Sequence, residues 1–230
     1  MSDNAPGALY TSHDVYGPRE VWLMFRVYRH SVLLFVVLAC AALVVAGPAV
    51  AAPSKTLDNL QAAFNGESNA NAKYLEFAKK ADQEGYAGAA ALFRAAAKAE
   101  EFHARNHADV IKKLGGTPKA EIKLPAIKTT ADNLKASIEG ESYERDKMYP
   151  EFIAEARAAG EKDAVKSFNF AVTAEGQHAK FYTEAAANLA AWKTAKKFAV
   201  CPVCGNTVTV VDVSKCPVCF TPGEKFITVA

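Results

Sequence analysis

The sequence has no surplus of charge. Its 230 residues carry 27 Lys and Arg against 25 Asp and Glu, a formal net charge of +2. Without a basic excess or a run of Lys and Arg long enough to make a tail, nothing in it points to a nucleic-acid partner. Cysteine is scarce. Of five residues, four form two Cys-Pro-Val-Cys pairs near the C-terminus, and Cys40 stands alone in an apolar run. Paired Cys-x-x-Cys units beside a large helical core favour metal over a disulfide framework. An uninterrupted apolar run of about 20 residues, the length that spans a bilayer, is also missing. What the chain does have is apolar bulk: 50% of its residues are hydrophobic and 23% charged. That suits one mid-sized core with a small appendage.

The N-terminal apolar run covers residues 32–45, follows Arg26, Arg29 and His30, and precedes Ala49-Val50-Ala51. Basic residues, an apolar stretch and an A-x-A site, in that order, make a secretory signal. The expectation is an exported, periplasmic protein with the signal cleaved; the alternative is an uncleaved membrane anchor. The run reaches spanning length only by taking in Gly47 and Pro48, and it continues well past Cys40, which argues against lipidation there. Residues 1–23 resemble neither signal nor fold, and Met24 would begin a signal of ordinary length. The expected organisation is an N-terminal extension over 1–52, a helical bundle over 53–195 and a four-cysteine module over 196–230.

From Thr56 onward the period is helical. Leu57, Leu60, Phe64, Glu67, Asn71, Tyr74, Ala78 and Ala81 recur at steps of three and four, which is one helix face. Ser54 or Thr56 can cap this helix, and Gly85 ends it. A second stripe runs Phe93, Ala96, Glu100, His103, His107, Val110 and Leu114 to Gly115-Gly116. The stretch from Pro118 to Lys128 has no helical period and is long enough to run the length of a bundle. The third stripe carries Leu134, Ile138, Glu141, Glu144, Met148 and Phe152 and ends at Gly160, with Pro150 predicting a kink. The fourth carries Ala164, Phe168, Ala171, Glu175, His178, Tyr182, Ala185, Leu189 and Trp192. Four such helices with one long crossover predict an all-α, ferritin-like four-helix bundle. Phe64-Asn65-Gly66-Glu67-Ser68 repeats as Ile138-Glu139-Gly140-Glu141-Ser142, so two hairpins are related by a pseudo-two-fold.

The apolar stripes contain carboxylates and imidazoles at their midpoints: Glu67, Glu100, His103, Glu141, Glu175 and His178, with Glu144 one turn beyond Glu141. Acids in a dry bundle repel one another and cost several kcal/mol each to desolvate. They are tolerable only around strongly positive ions. Glu and His three apart point the same way, so Glu100-x-x-His103 and Glu175-x-x-His178 each offer an oxygen and a nitrogen, as in di-iron and di-manganese carboxylate bundles. Oxygen-rich ligation suits iron or manganese. A single Glu-x-x-His on a helix usually marks a solvated face; two of them, matched by two Gly-Glu-Ser helices on apolar stripes, do not. His107 has no counterpart on the fourth helix and is expected to be a hydrogen-bonded or rim histidine. Tyr74 and Tyr149 are core residues whose phenols can bond to ligand carboxylates. Cys201, Cys204, Cys216 and Cys219 make a tetrahedral all-sulfur site for iron or zinc. A redox-active bundle beside it tips the choice towards iron.

From Thr56 to Ala230 the sequence resembles rubrerythrin. The resemblance rests on Gly66-Glu67-Ser68, Glu100-Glu101-Phe102-His103, Gly140-Glu141-Ser142-Tyr143-Glu144, Met148-Tyr149-Pro150-Glu151-Phe152, Glu175-x-x-His178 and the two cysteine knuckles. It implies two non-haem irons, one served by Glu67, Glu100, His103 and Glu144, the other by Glu141, Glu175 and His178. Glu100 and Glu175 would bridge them, and one iron would exchange His103 for Glu144 on redox change. It implies a rubredoxin-like C-terminal module with one iron, and hydrogen peroxide as substrate. It also implies a homodimer or larger homo-oligomer whose head-to-tail pairing sets one subunit's cysteine-bound iron near the partner's di-iron site. The electron donor is not specified. The alternatives are a ferroxidase or iron-handling protein and a zinc-stapled, non-enzymatic bundle. One departure stands out: Phe220 follows Cys219 where rubredoxins have glycine, and is expected to perturb that loop.

Overall fold

The computed structural model of the protein describes residues 55–209 and 213–230. The expected export segment, Cys40, Met24 and the capping candidate Ser54 lie outside the described residues. Among those residues no helix is long and apolar enough to cross a membrane.

Helices α1 (Lys55–Gln83) and α2 (Ala87–Lys113) form one antiparallel hairpin, while α3 (Thr130–Tyr143), a π-helical turn (Glu144–Met148) and α4 (Tyr149–Ala158) together pair with α5 (Lys162–Ala187) as the second. Each hairpin buries the stripe expected of it. Leu60, Tyr74, Phe93, Ala96, Leu134, Phe168, Ala171 and Tyr182 are all buried, because their spacing keeps them on one side of a 3.6-residue turn. The helices stop at Gly85, Gly115 and Gly160, whose φ values of 76–79° let the chain turn away without a Cβ clash. Thr56 lies inside α1, so it is not the cap; the described cap is Thr129, whose side chain accepts from Asp132 N.

The third stripe departs from the expectation. Pro150 does not lie inside one continuous α-helix. The chain instead widens to i→i+5 bonding over Glu144–Met148, with Tyr149 N donating to Glu144 O. The α-helix then restarts at Tyr149 with Pro150 in its first turn, where a missing N–H removes no intrahelical bond. The fourth helix also ends earlier than its stripe. It stops at Ala187, and Leu189–Trp192 form a 3₁₀ turn whose Trp192 ring stacks on Phe198 at 6.4 Å between centroids.

The crossover from α2 to α3 is tied to α1 by a ladder of side-chain amides. Asn65 Oδ1 accepts from Glu121 N at 2.8 Å, Asn69 Oδ1 accepts from Lys123 N at 2.7 Å, and Asn69 Nδ2 donates to Glu121 O at 2.9 Å. Gln61 joins the ladder by accepting from Lys119 N at 3.3 Å. Amides four residues apart on one helix face stand in for the partner strand that an extended segment otherwise lacks.

The C-terminal module is a three-stranded antiparallel sheet of order β2-β1-β3, from β1 (Phe198–Val200), β2 (Thr207–Val208) and β3 (Ile227–Val229). Its two Cys-Pro-Val-Cys turns face each other, and the module lies against α2 and α5.

Candidate metal centres

Glu67, Glu100, His103, Glu141, Glu175 and His178 are each 1% exposed or less. Each lies on a different turn of the core stripes, and they converge. One ligand atom from each of Glu67, Glu100, His103 and Glu175 lies within 4.8 Å of the others, and the same holds for Glu100, Glu141, Glu175 and His178. Glu100 and Glu175 belong to both groups. Their placement explains why. His103 Nδ1 lies 2.7 Å from Glu100 Oε2 and 3.3 Å from Glu175 Oε1, and His178 Nδ1 lies 3.4 Å from Glu100 Oε1 and 3.3 Å from Glu175 Oε2. Each of the two carboxylates offers one oxygen to each half of the site, the posture of a bridge between two cations.

The remaining polar atoms test whether cations fit. Glu67 Oε2, Glu141 Oε2, both Glu175 oxygens and His178 Nδ1 are buried without a hydrogen-bond partner. Left so, each costs roughly 1–3 kcal/mol or more. The Glu175 oxygens, Glu141 Oε2 and His178 Nδ1 lie 3.3–3.5 Å from a neighbouring ligand of the cluster, where acceptors outnumber donors, and metal ions would satisfy that surplus.

Electrostatics tell the same story. Burial, and then the charges of Glu100 and Glu144, push Glu67 well above the usual carboxylate range. Burial with Glu100 and Glu141 does the same to Glu175. Glu100 goes the other way: burial would raise it, but the hydrogen bond from His103 and the charges of both imidazoles prevail and hold it low. Burial would lower His103, but the Glu100 hydrogen bond and charge prevail and raise it to about 9. Protons are thus held where metal ions would otherwise sit.

Glu144 is not in either ligand group. It is half-buried on the π turn, pushed up to about 8 by burial and by Glu141 and Glu100. Of the two residues that resemblance makes alternates, His103 is inside the cluster and Glu144 beside it.

The tyrosines cross over. Tyr74 donates to Glu141 Oε1 at 2.5 Å, and Tyr149 donates to Glu67 Oε1. In each case the other carboxylate oxygen is the unpartnered one, so the phenol fixes which oxygen faces the metal position. His107 is fully buried, as a hydrogen-bonded histidine rather than a rim one. Its Nε2 lies 3.1 Å from Tyr149 Oη and its Nδ1 2.8 Å from Ser167 Oγ. Burial lowers it to about 3, so it is neutral.

In the cysteine module, Cys201 Sγ and Cys219 Sγ are 3.5 Å apart, as are those of Cys204 and Cys216. A tetrahedral ion with bonds of about 2.3 Å spaces sulfurs about 3.8 Å apart, so a four-thiolate ion fits with little movement. The two knuckles have the same turn: Gly205 N donates to Cys201 O, and Phe220 N donates to Cys216 O, both at 3.0 Å. The expected perturbation at Phe220 does not reach the backbone path. Phe220 takes φ 61°, close to the 75° of Gly205. Its ring, 67% exposed, lies under Lys215 Nζ at 5.2 Å.

Sequence reasoning did not find how the module meets the bundle. Three successive carbonyls of the first knuckle accept from three side chains of α2: Pro202 O from Arg105 at 2.5 Å, Val203 O from Asn106 at 2.9 Å, and Cys204 O from His103 Nε2 at 3.1 Å. On the other half, His178 Nε2 lies 3.1 Å from Thr207 Oγ1. Both inward-facing imidazoles are therefore tethered from behind by the module.

Together these features define the class: a ferritin-like di-iron carboxylate bundle with a rubredoxin-like four-cysteine module. The family model described as Rubrerythrin matches residues 58–186. Nigerythrin of Nitratidesulfovibrio vulgaris is 40% identical over 176 residues, covering 76% of this chain and 87% of that protein. Rubrerythrin-2 of Clostridium acetobutylicum is 34% identical over 174 residues, covering 74% and 95%. The solved structure of nigerythrin in its fully reduced, all-ferrous state superposes with a TM-score of 0.71 at 37% identity, covering 80% of this chain and 91% of that one. The chain belongs to the rubrerythrin family. Its cofactors are a di-iron centre in the bundle and an iron in the four-cysteine module.

Proposed function

We propose that the protein is a peroxidase that reduces hydrogen peroxide to water, taking up two electrons and two protons per peroxide. Glu67, Glu100, His103 and Glu175 would hold one iron, and Glu100, Glu141, Glu175 and His178 the other, with Glu100 and Glu175 common to both groups and Glu144 beside His103 as its alternate. When bound, the iron pair supplies the two electrons and the Lewis acidity that stabilises the departing oxygens. The chain supplies the rest. The crossed phenols keep one oxygen of Glu67 and one of Glu141 turned towards the metals. Burial of all six ligands excludes water from the reacting centre. His103 joins the two redox sites, with Nδ1 in the cluster and Nε2 donating to Cys204 O.

That shared histidine carries the reading. An iron-storage bundle has no use for a four-cysteine site docked on its own ligand, whereas a reductase needs electrons returned one at a time. Homo-oligomers and an unidentified donor complete the proposal. The test is anaerobic: reduced, iron-loaded protein is mixed with peroxide and both irons are followed by absorption. Oxidation of the di-iron centre and then of the four-cysteine iron, abolished at the second step in Cys201→Ser, is the expected result. Centres that stay reduced overturn it.

A further inference from the structure

The two crossed tyrosines match at the carboxylate and differ behind it. Tyr74 is backed by the rings of Phe77, Phe93 and Tyr182, with centroids 5.6–6.2 Å away. Tyr149 also has two phenylalanine neighbours, Phe152 and Phe168 at 6.4 and 5.9 Å, but its hydroxyl is backed by His107 and, beyond it, Ser167. Along the helices, Tyr182 stands four residues after His178 where His107 stands four after His103. The pseudo-two-fold is therefore broken behind the phenols, where an imidazole stands in the place of a tyrosine ring.

The donors in this chain all point one way. A Glu67 that holds a cation is ionised and only accepts, so the proton of its bond belongs to Tyr149, and Tyr149 Oη is left to accept from behind. His107 must then carry its proton on Nε2, and its bare Nδ1 accepts from Ser167 Oγ. Ser167 is on α5, 4% exposed, and forms part of the wall of a surface cavity of about 200 Å³ with Asn106, Asp109, Lys113, Asp163 and Lys166. The line runs from a charged, water-accessible recess to a ligand carboxylate, with every hydrogen bond oriented inward.

We propose that Ser167, His107 and Tyr149 are the proton entrance to the Glu67 side of the di-iron site. In one passage an acid or hydronium in the cavity protonates Ser167 Oγ, whose own proton moves to His107 Nδ1. The His107 Nε2 proton moves to Tyr149 Oη, and the Tyr149 proton moves to Glu67 Oε1. Ser167 and Tyr149 end with the protons they need, His107 changes tautomer, Glu67 gains one proton and no electron moves. His107 and Ser167 touch neither metal nor substrate and act through Tyr149, so they are positioning residues. The use of the delivered proton rests on the peroxidase reading; the polarity of the line does not.

Two measurements separate the claims. In protein labelled with ¹⁵N-histidine and loaded with zinc, His107 is expected as the neutral Nε2–H tautomer, and Ser167→Ala is expected to alter its Nδ1 resonance. A Nδ1–H or imidazolium form overturns the inference whether or not the protein reduces peroxide. In iron-loaded protein of unchanged metal content and spectrum, His107→Phe is expected to slow oxidation of the reduced centre on the order of 10²-fold. Ser167→Ala, the milder change, is expected to slow it a few-fold and to raise the solvent deuterium isotope effect. Wild-type rates and isotope effects in both variants overturn the proton entrance, whereas a wild-type protein inert to peroxide overturns the function and leaves the tautomer result standing.

Discussion

Tyr74 donates its phenol proton to Glu141, a residue of the opposite hairpin, at 2.5 Å. Its counterpart Tyr149 returns the same bond to Glu67. Each hairpin thus orients a carboxylate of the other, and neither half of the site is set without its partner. Removing either hydroxyl leaves a buried carboxylate oxygen without a donor, a loss of roughly 1–3 kcal/mol. Tyr74→Phe and Tyr149→Phe are each expected to weaken metal binding about 10–100-fold, measured by competition with a chelator. Equal affinity in both variants would mean that the phenols only fill space.

The crossed pair also marks what could be read in the sequence and what could not. The stripes, the Glu-x-x-His pairs and the long crossover all follow from periodicity, because a helix repeats and its core face repeats with it. Tyr74 follows Glu67 by seven residues, but Tyr149 follows Glu141 by eight. Both tyrosines still meet the opposite carboxylate, because the π turn at Glu144–Met148 absorbs the extra residue. The count of eight was there to be seen, and Pro150 drew the expectation to a kink instead. Gln61, Asn65 and Asn69 were similarly visible as amides at four-residue spacing. Their partner is an extended segment with no period of its own, so nothing in the sequence indicated what they hold. His107, Ser167 and the carbonyls of the first knuckle meet only in three dimensions, across contacts between elements far apart in the chain.

Without metal, stability is expected to fall as pH rises from about 6.5 to about 9. Glu67 and Glu175 are raised by burial and like charge, His103 is raised to about 9 against its burial by Glu100, and His178 is raised well above 6.5, against its burial, by the charge of Glu141 and the nearby carboxylates of Glu100 and Glu175. All four bind protons more tightly folded than unfolded, so their contribution is present below their unfolded values and lost as pH climbs through the folded ones. Cys201, held down to about 4 by its hydrogen bond from Cys204, is one group that opposes them in this window, against four. Glu100 is lowered, and His107 is lowered to about 3, so both act at acid pH. Iron competes with these protons, and its affinity should therefore increase over the same range. Thermal melts of chelator-treated and iron-loaded protein at pH 6.5 and 9 check both. A metal-free protein whose melting temperature rises with pH would contradict the assignment of the buried charges.

Phe220→Gly is expected to stabilise the cysteine module. A non-glycine residue at φ 61° costs about 1–2 kcal/mol in the left-handed region. The ring's contact with Lys215 at 5.2 Å offsets only part of that, since exposed cation–π pairs contribute about 0.5–1 kcal/mol. Glycine also loses more entropy on folding, so the net gain should be below about 1 kcal/mol. The resistance of the four-cysteine iron to guanidinium, followed by its colour, measures this. A weaker site in the variant would show that the Phe220 ring contributes more than its backbone costs.

Gly205→Ala tests how the two redox sites are held together. A Cβ on Gly205 would lie 2.2 Å from His103 Nε2 and 2.8 Å from its Cδ2, closer than carbon and nitrogen atoms approach. His103 cannot give way without leaving Glu100, so the knuckle must move instead. The bonds from His103, Arg105 and Asn106 to three neighbouring carbonyls then lengthen together. The expected phenotype is selective: both metal sites fill, the bundle's melting temperature moves by no more than about 2–4 °C for each kcal/mol lost locally, and the first peroxide-driven oxidation of the di-iron centre keeps its rate. Only the following electron transfer from the four-cysteine iron slows. Hydrogen exchange at Cys204 and Gly205 should rise in parallel, reporting the undocked module without reference to turnover. If that second step keeps its wild-type rate while exchange shows the knuckle displaced, the electron does not travel through the His103–Cys204 contact.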